Sequence, residues 1–166
     1  MDLPDYSPAS LEHIVEQYAD LLLRITFIQL KHMQDAEDIT QEVFVKLIEK
    51  KPVFESEEHM KAWLIRVAIN LCKDHWKSAW YKRTVPLEDE LGVFPAEISD
   101  VLQTIMQLPA PSRQVVLLHD YVGYSLVEIA AFTGQTSSAV TTRLHRARKK
   151  LRLLLEPCTD SGKGEM

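Results

Sequence analysis

Glycine is scarce, five residues in 166, and none of the glycine spacings that cradle a phosphate occurs. The two cysteines, Cys72 and Cys158, form no Cys-x-x-Cys pair. Cys72 falls in an apolar helical pattern and reads as a reduced, buried thiol. No apolar run approaches the roughly 18–20 residues that span a bilayer, and Leu21-Leu22-Leu23 is stopped at once by Arg24. The acidic amino terminus, Met1 to Asp5, lacks the basic-then-apolar layout of a signal peptide. The six histidines are scattered, without a His-Glu-x-x-His motif, and His119-Asp120 has no serine or cysteine nucleophile near it in sequence. These absences exclude a catalytic constellation. The expectation is a cytoplasmic, non-enzymatic protein with no cofactor, no metal site and no membrane insertion.

What is present is helix, in a pattern with few strand signals. Ser7-Pro8 opens a first helix whose buried stripe is Leu11, Ile14, Val15, Tyr18, Leu22 and Ile25. Asp35 is placed to cap a second, with Ile39, Val43, Leu47, Phe44 and Ile48 inward and Asp38, Gln41, Glu42, Val45 and Glu49 outward. Lys51-Pro52 ends it. Ser56, followed by Glu57 and Glu58, starts a third helix, in which Leu64, Val67, Ala68, Leu71 and His75 recur at helical spacing. This first helical domain is read as residues 7–80. Residues 81–97, with Glu88-Asp89-Glu90 between prolines, read as an acidic linker. A second domain, residues 98–155, opens with a helix from Ile98 to Leu108, a break at Pro109 to Pro111, and a helix capped by Ser112. Residues 156–166 read as a disordered tail.

The second domain ends in the most informative stretch, Tyr124 to Leu151. Ser125 and Glu128 have capping-box spacing, so a helix starts near Leu126. Ile129 and Ala130 supply its buried side, and Gly134 suits the sharp turn that follows. Ser137 or Ser138 then caps a second helix, with Val140, Leu144 and Ala147 or Leu151 as its inward stripe. Its outward face carries Thr141, Thr142, Arg143, Arg146 and Lys150, side chains suited to base edges and phosphates. The fold class is therefore all-α: two small helical domains joined by an acidic linker, the second containing a helix-turn-helix. Charge is segregated although the net is −5. Cations fill Arg143 to Arg152 and the group Lys73, Lys77, Lys82 and Arg83, while acids concentrate from Asp35 to Glu58. This suggests one surface for a polyanion and another for a basic protein.

Two separate segments resemble one family, the extracytoplasmic-function (ECF) sigma factors of bacterial RNA polymerase. One is Asp35 to Leu47 followed by Ala62 to Asp74; the other is Leu108-Pro109 with the helix-turn-helix ending Arg143-Leu-His-Arg-Ala-Arg-Lys-Lys-Leu151. The resemblance implies that Asp38, Gln41 and Glu42 bind core RNA polymerase. It implies that Phe54, Asn70, Lys73, Trp76 and Lys77 serve recognition and melting of the −10 region of promoter DNA. Trp80 and Tyr81 with Lys82 and Arg83 extend that aromatic and basic edge, and Trp63 is expected to be structural. The helix from Ser137 would enter the major groove of the −35 element, with Ser138, Thr141, Thr142, Arg143 and Arg146 as its contacts. An anti-sigma factor is a further partner common in the family. The loop Phe54 to Met60 departs from the pattern in being acidic; Glu55, Glu57 and Glu58 would repel a DNA strand unless they turn away or meet base amino groups. A stand-alone regulator would keep the helix-turn-helix but not need the acidic helix. An adaptor would explain the acidic helix but not the basic one.

Overall fold

The computed structural model describes residues 3–82 and 99–155, and every element among them is helical. The chain divides into two compact units between Glu90 and Leu91. The expected linker beyond Lys82, with Glu88, Asp89 and Glu90, and the expected tail 156–166 lie outside the described residues.

The first unit is three helices packed pairwise on one another: α1 (Pro8–Leu30), α2 (Met33–Lys50) and α3 (Glu57–Lys82). Ser7 caps α1, its hydroxyl accepting from Ser10 N at 3.2 Å, and proline stands at the first helical position, where its missing N–H removes a donor that has no intrahelical partner. Lys31 closes α1 in the left-handed conformation, donating to Phe27 O. α2 begins earlier than Asp35. Its cap is His32, whose Nδ1 accepts from Asp35 N at 3.3 Å. Asp35 instead sits in the first turn, and its Oδ2 meets His75 Nε2 of α3 at 3.0 Å. Ile39, Val43, Phe44 and Leu47 are buried as expected, but Ile48 is 46% exposed. Nine residues from Ile39 is two and a half turns, which carries Ile48 to the opposite side of the helix.

Ser56 caps α3 by accepting from His59 N at 3.1 Å, and α3 runs two residues beyond Trp80 to Lys82. Leu64, Ile65, Ala68, Ile69 and Cys72 form its buried stripe, whereas Val67, Leu71 and His75 lie at the margin and Val15 of α1 is exposed. Where α1 crosses α2, the buried Thr26 hydroxyl donates within its own helix to Leu22 O at 2.9 Å and lies 3.2 Å from the Thr40 hydroxyl, which donates to Ala36 O at 2.8 Å. Both polar groups are thereby satisfied; an unsatisfied one would cost about 1–3 kcal/mol.

Cys72 is 2% exposed and packs with Leu30 and Ile39. Burial pushes its thiol up from the usual 9.0 to about 12, because a thiolate there would lose its hydration. The folded protein therefore keeps a proton that the unfolded chain releases. The stability this gives is undiminished below about pH 9 and is lost as the pH rises from there towards 12. In a Cys158→Ser variant, a thiol reagent at pH 8 is expected to modify Cys72 about a thousandfold more slowly in buffer than in denaturant. Equal rates would show that the thiol is not held in the core.

The second unit comprises α4 (Ser99–Met106), α5 (Ala110–Val116), a π-helical segment Leu117–Val122, α6 (Leu126–Thr133) and α7 (Ser137–Leu155). α5 starts from Pro109, not Ser112, which lies within its first turn. Proline in the extended conformation has already set the chain direction, so no side-chain cap is made there. Arg113 is 3% exposed and donates to Leu108 O at 2.6 Å; burial lowers its pKa to about 10. α7 packs on α4, α5 and α6, so one helix organises the unit.

Candidate nucleic-acid interface

The turn that presents α7 is built by short-range chemistry. Ser125 Oγ accepts from Glu128 N at 3.1 Å while Glu128 Oε2 accepts from Ser125 N at 2.9 Å, a complete capping box. Caps of this kind contribute about 0.5–2 kcal/mol. Gly134 ends α6 at φ +69°, donating to Ala130 O. Nothing lies within 4 Å of an added β-carbon there, so backbone conformation rather than space favours glycine. α7 is capped by neither Ser137 nor Ser138. Thr136 does so, its Oγ1 accepting from Ala139 N at 3.1 Å. The first hydroxyl after the glycine turn is the one that reaches the N3 amide.

Val140, Leu144 and Ala147 are buried on the side of α7 that packs on the rest of the unit, with Leu151 at the margin. This sets the opposite side outward. Ser138, Thr141, Thr142 and Arg146 are exposed and Arg143 is partly covered. Arg143 NH1 donates to Gln135 Oε1 at 3.3 Å, which aims the guanidinium along the turn. Thr141 donates to Ser137 O at 2.8 Å; its proton is committed to the backbone, leaving its methyl and lone pairs for a base edge. Arg148 is drawn aside by Asp120 at 2.5 Å. Beside the outward face lies a depression of about 470 Å³ lined by Ser112, Thr136, Ser138, Thr142, Arg143 and Arg146. Sequence spacing does not point to Ser112, Thr136 or Gln135 as members of this site. Ser112 lies more than twenty residues upstream on another helix, and no linear pattern connects it to α7.

In the first unit, Asp38, Gln41 and Glu42 share the exposed side of α2 with Val45 and Ile48, and Gln34 Nε2 donates to Asp38 Oδ1 at 3.1 Å. Asn70, Lys73 and Lys77 share one side of α3, Asn70 and Lys77 exposed and Lys73 partly covered. Arg66, exposed and one turn before Asn70, joins them; the spacing of 66, 70, 73 and 77 is the signal that identifies it. Trp76 is 42% exposed, with Nε1 donating to Gln29 O at 3.3 Å, so the indole is fixed with part of its ring uncovered. Phe54 is different. It is 5% exposed and meets His59 and Trp63 edge-on, at centroid distances of 5.4 and 5.8 Å. It packs the loop against α3 and offers no surface for a base. Glu57 turns away from the loop: its Oε1 accepts from Gln17 Nε2 at 2.7 Å and Tyr18 OH at 3.3 Å, both on α1. Glu55 and Glu58 remain exposed. The side chains of Trp80, Tyr81 and Lys82, and all of Arg83, lie outside the described residues.

A capped, glycine-turned helix pair whose second member carries cations and hydroxyls outward defines a helix-turn-helix protein. Comparison with known proteins carries this further. Residues 14–81 match sigma-70 region 2 and residues 98–151 match sigma-70 region 4. The ECF RNA polymerase sigma factor SigE of Mycolicibacterium smegmatis is 29% identical over 156 residues, covering 86% of this chain and 60% of that protein. SigW of Bacillus subtilis is 29% identical over 161 residues, covering 84% and 85%. The structure of CnrH in complex with the cytosolic domain of CnrY is similar with a TM-score of 0.65 at 27% identity, covering 90% of each chain. The sigma factor RpoE of Bartonella quintana, in complex with the anti-sigma factor NepR, shares the fold with a TM-score of 0.66 at 23% identity over 88% of this chain and 96% of that one. The chain belongs to the sigma-70 family, among its ECF sigma factors. No helix among the described residues is long and apolar enough to cross a membrane.

Proposed function

We propose that this protein binds bacterial core RNA polymerase and directs it to promoters, with residues 7–80 serving docking and −10 recognition and residues 98–155 serving −35 recognition. The observation that carries this reading is the pairing, in one chain, of region 2 and region 4 matches with surfaces of opposite charge. Asp38, Gln41 and Glu42 on α2, beside the exposed Val45 and Ile48, suit a basic and partly apolar polymerase surface. Asn70, Lys73, Trp76 and Lys77 on α3 suit a displaced strand, for which a stacked base contributes about 1–3 kcal/mol. Ser138, Thr141, Thr142, Arg143 and Arg146 suit the −35 duplex. The protein itself carries out no covalent chemistry, acts in the cytoplasm, and takes an anti-sigma protein as a regulatory partner.

The test is transcription by bacterial core polymerase on a library of promoter fragments, with and without this protein. Initiation from a defined subset only when the protein is added supports the reading. Tight binding of the isolated protein to one duplex, without initiation, would replace it with that of a stand-alone regulator.

A further inference from the structure

Tyr6 lies upstream of residues 14–81, the part of the chain that matches sigma-70 region 2, so the family match does not account for it. Its φ is +60°, a conformation that residues other than glycine rarely adopt and that persists where the surroundings over-determine it. Two local devices do so here. Asp5 Oδ1 accepts from Ser7 N at 2.9 Å, bridging Tyr6, and Ser7 caps α1 on the other side. The Tyr6 hydroxyl then donates to Pro52 O, 46 residues further along the chain.

Pro52 belongs to the connection between α2 and α3, where Lys51 at φ +43° closes α2 and Ser56 caps α3. The connection is clasped from α1 at both ends. Tyr6 takes Pro52 O, while Gln17 and Tyr18 take the Glu57 carboxylate. Between these points Phe54 is buried against His59 and Trp63, and Glu55 N donates to His59 Nδ1 at 3.2 Å. With Phe54 anchored inward, its two neighbours face out: Val53 is 90% exposed and Glu55 is exposed. A loose loop would have to be ordered as a strand bound to it, at a cost in affinity. This one is ordered beforehand.

We propose that Tyr6 is a positioning residue for −10 recognition, its bond to Pro52 O holding the loop so that Val53 meets the displaced strand at a fixed depth. The proposal rests on the reading of the first unit as the −10 module. Tyr6 acts through the loop and not on DNA, whereas an apolar side chain such as Val53 suits a thymine methyl group.

The experiment uses the full chain assembled with core polymerase and a promoter recovered from the library. Binding is measured on a fork template whose −10 strand is already single, and base preference is read from a randomised −10 library. Tyr6→Phe keeps the ring and removes only the hydroxyl. It should weaken fork binding about three- to tenfold, a loss bounded by one net hydrogen bond, and relax preference at one −10 position. Selection at −35 and affinity for core polymerase should match wild type. Val53→Ala should relax the same −10 position in wild type, yet cost less than about twofold when added to Tyr6→Phe, because contributions of coupled residues do not add. Fork binding by Tyr6→Phe indistinguishable from wild type would overturn the proposal, as would additive losses in the pair. Equal losses at −10, −35 and core polymerase with a lowered thermal midpoint would make Tyr6 a folding residue only and overturn it too. Failure of wild type to initiate at any promoter would overturn the −10 reading beneath the proposal, a result separate from these because no variant is involved.

Discussion

Asp38→Lys combined with Glu42→Lys is expected to weaken association with core RNA polymerase by about a hundredfold or more. Removing one partner of a close, desolvated charge pair costs about 2–5 kcal/mol, and each 1.4 kcal/mol is about tenfold. Both carboxylates are exposed on α2, one turn apart, with Val45 and Ile48 uncovered beside them at 47% and 46%. An apolar margin of this kind excludes water when covered, so the neighbouring charges are screened less than rim charges are. The fold should scarcely notice. The double variant exchanges one like-charged pair for another at the same spacing and gives up only the hydrogen bond from Gln34 to Asp38, worth a few tenths of a kcal/mol. Fluorescence anisotropy of a labelled chain titrated with core polymerase reads the affinity, and a thermal melt reads the fold. The same reversal at Glu16, exposed on α1, is the comparison. Affinity within threefold of wild type would remove α2 from the docking surface.

Much of this architecture is legible from the chain because short-range rules determine it. The capping box at Ser125 and Glu128, the glycine at the end of α6 and the stripe Val140, Leu144 and Ala147 require only neighbours within a turn or two. The departures at the helix starts have a common origin. At each helix start several capable residues stand close together, and the choice among them depends on backbone direction: His32 over Asp35, Pro109 over Ser112, Thr136 over Ser137. Phe54 occupies a DNA-contact position in the family resemblance, yet it fills the space between His59 and Trp63. Glu57 shows the reverse. Its carboxylate is repulsive to DNA in the linear sequence, but Gln17 and Tyr18, some forty residues upstream, take it up. Such long-range pairings leave no periodic trace.

Arg143→Ala and Arg146→Ala together are expected to lower promoter binding by the polymerase complex by about a hundredfold to ten-thousandfold at physiological salt. Two kinds of effect combine. A guanidinium bidentate to a base contributes about 1–3 kcal/mol of discrimination, and each phosphate left without its cation flattens the dependence of log affinity on log salt by about 0.9. The single variants separate them. Gln135 holds Arg143 at 3.3 Å, so its rotamers are restricted before DNA arrives and little entropy is lost when it binds. Arg143→Ala should therefore alter preference at one or two −35 positions. Arg146 is exposed and should act mainly through charge, so Arg146→Ala should weaken all sequences alike. Neither change touches Val140, Leu144 or Ala147, which are buried at 0, 5 and 2% exposure, and α7 should stay folded. Selection from a randomised −35 library at two salt concentrations distinguishes the outcomes. If the double variant selects the same sequences with the same yield, α7 does not read this element through either arginine.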